Sequence, residues 1–188
     1  MKGKRFGTLV VLAFAIVAIS AGFALALPKV ETPLIATTCG QSPGAMMVKM
    51  SAMQAKITPA EDSKTLTAAD LEGKDYKTLV VTTGTSMKGM GAAGTDVDKE
   101  IARCTALIEA AKAKGIVVIG AHVEGMARRT DASDEATIKA VMPLCDFILI
   151  IEGSNEDGFF TEYAKELGKE LVVAKDALGI GAKLAELQ

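Results

Sequence analysis

The chain has 188 residues, with 21 Lys and Arg against 23 Asp and Glu, one His, no Trp and three Cys. That length suits one domain and falls short of a two-lobed solute-binding architecture. Slight acidity argues against a nucleic-acid partner, which wants a basic face, and an aromatic content of 4% argues against stacking platforms for sugars or single strands.

The first element is an address. Lys2, Lys4 and Arg5 precede an unbroken apolar run from Leu9 to Ile19, and Ser20, Gly22 and Ala24-Leu25-Ala26 follow. A basic start, an apolar middle and small residues two apart predict a signal peptide over residues 1–26, cleaved after Ala26. An uncleaved anchor is the alternative, because Thr8 to Leu27 approaches the roughly 20 apolar residues that a span needs. Cys39 lies well beyond the run, so no lipid-attachment site is formed. The protein is expected outside the cytoplasmic membrane, periplasmic or secreted, with the membrane as a partner only if the segment stays uncleaved. Three basic residues belong to the leader, so the remainder carries a net charge of about −5.

Residues 27–33 read as a linker and 34–188 as a single domain. Leu34-Ile35-Ala36-Thr37-Thr38 reads as a buried strand. Ser42 as cap and Pro43 at the first helical position open a helix through about Lys56. A poor edge strand is expected near Lys64-Leu66, after Pro59, and a helical turn from Thr67. Thr78 to Thr83 is a clear strand, followed by a glycine-rich loop from Gly84 to Gly94. Thr95 and Asp98 suggest a capping box for a helix to Lys114, which Gly115 stops. Ile116 to Gly120 is the next strand, 121–130 a polar loop, and a helix then runs to Pro143. Asp146 to Ile151 is a strand, 152–157 a loop, Gly158 to Leu167 a helix, Leu171 to Ala174 the last strand and Asp176 to Leu187 the last helix. Continuous β-branched strands alternating with helices predict a doubly wound α/β fold, flavodoxin-like or Rossmann-like, with five or six parallel strands and helices on both faces.

Three stretches carry a resemblance: Gly40-Gln41-Ser42 with Ala45-Met46-Met47-Val48-Lys49, Gly89-Met90-Gly91-Ala92-Ala93-Gly94, and Asn155-Glu156-Asp157-Gly158-Phe159-Phe160. Together they resemble an uncharacterised family of exported bacterial proteins, a domain of unknown function, over most of residues 32–176. The resemblance implies location and a single-domain fold. It assigns no catalytic residue.

In such a sheet ligands bind beyond the carboxyl ends of the strands, where strand order reverses. The loops that end there hold Cys39, Gln41, Ser42, Gly84, Thr85, Ser86, Lys88, His122, Glu124, Arg128, Arg129 and Asn155. Gly89-x-Gly91-x-x-Gly94 matches the dinucleotide fingerprint only literally. It starts five residues after the strand, and the helix beyond it opens with Asp96, Asp98 and Glu100, which would repel a pyrophosphate. The helix after Ser42 has no acid in its first turn, so its N-terminus suits an anion held by Ser42 with Lys88, Arg128 or Arg129 nearby. The expected function is therefore binding of a small anionic or polar solute at the edge between the strands that end at Thr38 and Thr83. Gln41, Ser42, Gly84, Thr85, Ser86, Lys88, His122, Arg128 and Asn155 are its candidate ligands, and no cofactor is expected.

Two other classes stay open. Cys39, the one thiol expected to be exposed, and His122 suggest a thiol-dependent hydrolase or transferase. Met46, Met47, Met50 and Met53, with Met87, Met90 and Met126, suggest a protein-interaction edge, or Cu(I) held by soft ligands. The spacing of Met46, Met50 and Met53 suits packing onto the sheet equally well, and a core role is the expectation. The acids of 152–158 lack EF-hand spacing.

Overall fold

The computed structural model describes residues 27–188. The signal-peptide reading of 1–26 lies outside the described residues. Among these, no helix is long and apolar enough to cross a membrane.

Six parallel strands form one sheet in the order β2-β1-β3-β4-β5-β6. They are β1 (Leu34–Cys39), β2 (Ala60–Asp62), β3 (Thr78–Thr83), β4 (Val117–His122), β5 (Phe147–Ile151) and β6 (Leu171–Ala174). The helices are α1 (Gly44–Gln54), α2 (Met87–Ala93), α3 (Val97–Ala113), α4 (Ala132–Val141), α5 (Phe159–Leu167) and α6 (Gly179–Glu186). This is the doubly wound α/β fold that the strand pattern predicts, with flavodoxin-like order extended by a sixth strand.

Period-2 alternation assigns each strand residue to a face. Leu34, Ala36, Val80, Ile119, Ala121, Phe147 and Leu149 face α1 and α6, where Val48, Ala52, Ile180 and Leu184 complete one core. Ile35, Cys39, Leu79, Val81 and Val118 face the other way, onto Cys104, Leu107, Ile108 and Ala111 of α3. Ile148 and Ile150 meet Phe160 and Ala164 of α5. Both faces of the central strands are covered, which is why β1 and β3 are buried at every position and read as continuous apolar runs. α1 and α6 cross closely. A Cβ on Gly181 would strike the Ser51 carbonyl, and the Ser51 hydroxyl instead accepts from Gly181 N–H at 2.7 Å and donates to the Leu178 carbonyl at 2.7 Å.

Four local expectations are corrected. The edge strand lies at Ala60–Asp62 rather than Lys64-Leu66, paired with Leu34 to Ala36. Short and polar, it lacks the apolar run that marks buried strands. The stretch read as a glycine loop contains α2, whose N-cap Ser86 accepts from Gly89 N–H and whose C-cap Gly94 is left-handed at φ 66°. Gly89 and Gly91 are thus helical, so the literal fingerprint is no phosphate loop. The cap of α3 is Asp96, accepting from Lys99 N–H, rather than Thr95. Ser42 does not cap α1: Pro43 holds the N-cap position with no side-chain bond, and the Ser42 hydroxyl pairs with that of Thr38 at 3.0 Å.

Candidate functional site

The order β2-β1-β3 places the topological switch point between β1 and β3, where the loops after Cys39 and Thr83 diverge to opposite faces. Gln41, Ser42, Gly84 and Thr85 do come together there, and all four are buried. The loops lock onto each other instead of forming a crevice. Gln41 and Thr85 make an isolated antiparallel bridge, and Ser86 N–H donates to the Gly40 carbonyl at 2.8 Å. Gly40, at φ 121°, lies so close to the second loop that a Cβ would sit 2.8 Å from the Gly84 carbonyl oxygen.

The anion that the switch point calls for is supplied by the chain itself, three times. Gly44 N–H, the open N-terminus of α1, donates to Glu124 Oε1 at 3.1 Å. Gly40 N–H donates to Glu100 Oε2 at 3.2 Å. Thr85 N–H and its hydroxyl both donate to Asp134 Oδ1 at 2.7 Å. Each acid comes from a neighbouring βα unit. Glu100 and Asp134 sit in the first turns of α3 and α4, and Glu124 lies 80 residues from Gly44. The sequence showed no acid in α1 itself; the compensating charge arrives from the loop after β4.

Two arginines complete this half. Arg103 pairs with Glu100 at 2.7 Å and donates to the carbonyls of Thr38 and Leu66, at 2.6 Å each. Arg128 pairs with Glu124 through Nε at 3.0 Å and reaches the Thr85 carbonyl through Nη1 at 2.6 Å. Burial pushes the Glu100 carboxyl up, but hydrogen bonds from Arg103, Gln41 and the Gly40 N–H outweigh it and the net direction is down. Asp134 moves the same way: burial raises it, and the Thr130 and Thr85 donors overcome that. Among the described residues no buried side-chain N or O lacks a partner. Of the remaining expected ligands, Lys88 is exposed on α2, and Asn155 caps α5, accepting from Phe160 N–H at 2.8 Å.

His122 is a structural residue here. It is fully buried, tilted against Phe160 with ring centroids 5.1 Å apart. Nδ1 lies 2.9 Å from the Thr83 hydroxyl and Nε2 lies 3.3 Å from the Gly125 carbonyl. The neutral tautomer that satisfies both carries its proton on Nε2 and accepts from Thr83. Burial pushes its pKa down to about 4, against the pull of the Gly125 carbonyl.

The Cys39–His122 pair does not form. Cys39 is opposite Thr83 in register, and the β3–β4 pairing puts Thr83 beside His122. Thr83 therefore stands between thiol and imidazole, which are two strand spacings or about 10 Å apart. Cys39 is also fully buried, contrary to the expected exposure, because alternation turns it towards α3. Its neighbour Cys104, then burial, push its pKa upward, the wrong direction for a nucleophile.

The carboxyl edge opens instead beyond β4 and β5. A cavity of about 420 Å³ is lined by Arg129, Thr130, Asp131, Ala132, Glu135 and Phe159. Arg129 is its fixed point. Its guanidinium lies 4.3 Å from the Phe159 ring centroid and donates to the Ser154 carbonyl at 3.3 Å. It grips Asp157 with both nitrogens, Nη1 at 2.9 Å and Nη2 closer still. Arg129 is 14% exposed and Asp157 45%. The Arg129 bonds, then the Phe159 N–H, hold the Asp157 carboxyl at about 2. From the sequence Arg129 is expected near the α1 terminus and Phe159 has no role; the Arg-Arg pair at 128–129 carries no sign that its members face different partners.

The methionines of α1 are not core. Met46, Met50 and Met53 are 48%, 63% and 50% exposed, and with Met47, Ala177 and Leu178 they border a second, apolar cavity of about 350 Å³. The residues of α1 that pack onto the sheet are Ala45, Val48 and Ala52, offset around the helix from the methionine stripe. The α1 thioethers on this outer face share no site with Cys39 and His122, which lie in the opposite layer.

Topology and site define a flavodoxin-like α/β protein whose polar groups converge on the carboxyl edge of the sheet. Within that class, the family model described as a domain of unknown function, DUF6305, matches residues 31–188, and the chain belongs to that family. No curated protein matches the chain.

Proposed function

We propose that this protein binds a small polar solute bearing an anionic group, outside the cytoplasmic membrane, in the cavity over the β4–β5 half of the carboxyl edge. The observation that carries the reading is Arg129. Its guanidinium is pinned by Phe159 and the Ser154 carbonyl, yet its carboxylate partner is half in water. A planar fork held in place binds a carboxylate or phosphate with little ordering cost, and an exposed Asp157 is a partner that a ligand oxyanion can replace. Asp131 and Glu135 on the same wall favour hydroxyl or ammonium groups on the far end of the solute. The expected site at the switch point thus moves by two strands, because internal carboxylates fill its first location. Thermal melts of the full chain with phosphate, malate, citrate and glutamate test the reading. At least one raises the melting temperature, and Arg129→Gln removes that rise. A panel that shifts nothing, or a shift that survives Arg129→Gln, overturns it.

A second reading has its own observation. The exposed methionines beside Leu178, itself 68% exposed, form an apolar patch of the kind that marks a protein-docking face, and flexible thioethers adapt to varied partners. It supports an interaction module using the outer side of α1 and α6.

A further inference from the structure

The odd cysteine count resolves once the three sulfurs are placed. Cys39 ends β1 on the face turned to α3, and Cys104 lies in that helix, within the same apolar cluster. The Cys104 thiol is 3.8 Å from the carbonyl oxygen of Thr38, the residue just before Cys39, and Cys104 is the neighbour that pushes the Cys39 thiol's pKa up most. Cys145 belongs to the same cluster but is tied to a different partner. Its thiol donates to the Val141 carbonyl at 3.2 Å, and it packs under Gly120, where an added Cβ would meet its sulfur at 2.9 Å. All three thiols are free and buried.

We infer that Cys39 and Cys104 form a disulfide when the chain folds in the presence of a disulfide oxidant, stapling the carboxyl end of β1 to α3. One cysteine thiolate attacks a sulfur of the external disulfide RS–SR, breaking that bond and releasing RS⁻. The second thiolate then attacks the protein sulfur of the mixed disulfide, forming the Cys39–Cys104 bond and releasing a second RS⁻. The two thiol protons end on the two RS⁻ groups. The protein loses two electrons, and the oxidant gains them as two RSH molecules. Because both thiols are buried in the closed fold, the reaction belongs to folding or to local opening of the loop after β1. The bridge closes a loop of about 65 residues, long enough for a substantial gain in stability. It also fixes the two elements that carry Arg103, Glu100 and the Thr38 carbonyl, so the filled half of the carboxyl edge is braced from beneath.

The test is refolding of the full chain from urea with glutathione disulfide, then iodoacetamide in denaturant and mass analysis. The expected product takes up one alkyl group, at Cys145, contains a cross-linked Cys39–Cys104 peptide pair and melts several degrees above the reduced protein. Cys145→Ala still gives the cross-link, and Cys104→Ser abolishes it. Three alkylations after oxidative refolding, a bridge to Cys145, or an oxidised form that melts no higher than the reduced one overturns the inference.

Discussion

At the β1–β3 half of the carboxyl edge, the N–H groups of Gly40, Gly44 and Thr85 each meet a carboxylate of the chain itself. At the β4–β5 half, Arg129 meets an Asp157 that is 45% exposed, at the wall of an open cavity. The chemistry is similar, with donors at strand ends and helix starts that want an anion. The difference is who supplies it. Buried internal acids make a rigid joint, and an exposed one is the partner that the proposed solute would replace. A topological switch point is therefore a place where ligands can bind, and here the chain has used it to tie three loops together.

The largest effect that tests this contrast is at Glu100. Glu100→Ala leaves Arg103 buried without its charge partner and Gly40 N–H without an acceptor, and the cost is about 3–5 kcal/mol. Asp157→Ala, at the open half, costs far less. Urea denaturation of the two variants separates the halves; equal losses would erase the distinction.

His122 sits on the boundary between the halves, and its effect comes next. The folded pKa is about 4 against an ordinary 6.5, so the folded state refuses a proton that the unfolded chain accepts. Its contribution is complete above pH 6.5 and is lost as pH falls from 6.5 towards 4, to a total of about 3 kcal/mol. The carboxylates titrate in the unfolded chain only near pH 4, and this is the single histidine, so the slope between pH 6.5 and 5 belongs to it. Stability of His122→Gln measured across that window is expected to be flat. A slope as steep as the parent's would assign the pH dependence elsewhere.

The smallest effect lies away from the edge. Met50→Lys on α1 changes stability by no more than about 0.5 kcal/mol, because the side chain is 63% exposed. A loss above 2 kcal/mol in a thermal melt would return this methionine to the core.

Strand identity and layer order were legible because parallel strands buried on both faces leave continuous runs such as Leu79-Val80-Val81 and because Gly115 stops the long helix before β4. The loops that meet at the carboxyl edge were legible for the same reason. What they do there was not. The first turn of α1 shows no acid local in sequence, whereas Glu124 reaches Gly44 from another βα unit. The methionine stripe misled because Met is compatible with either side of a helix, and Ala45, Val48 and Ala52, being small, left a weaker signal for the true inner face. Cys39 looked exposed by its position in the chain, while alternation along β1 decided its burial.

The proposed solute site lies over β4 and β5 and not between β1 and β3. Backbone amide shifts of the ¹⁵N-labelled protein, followed during titration with whichever anion of the panel raises the melting temperature, test it most directly. The largest shifts are expected at Arg129, Thr130, Asp157 and Phe159, with Gly40 to Gly44 and Thr85 to Gly89 unmoved. Shifts concentrated at Gly40 to Gly44 and Thr85 would contradict it and put the ligand at the switch point.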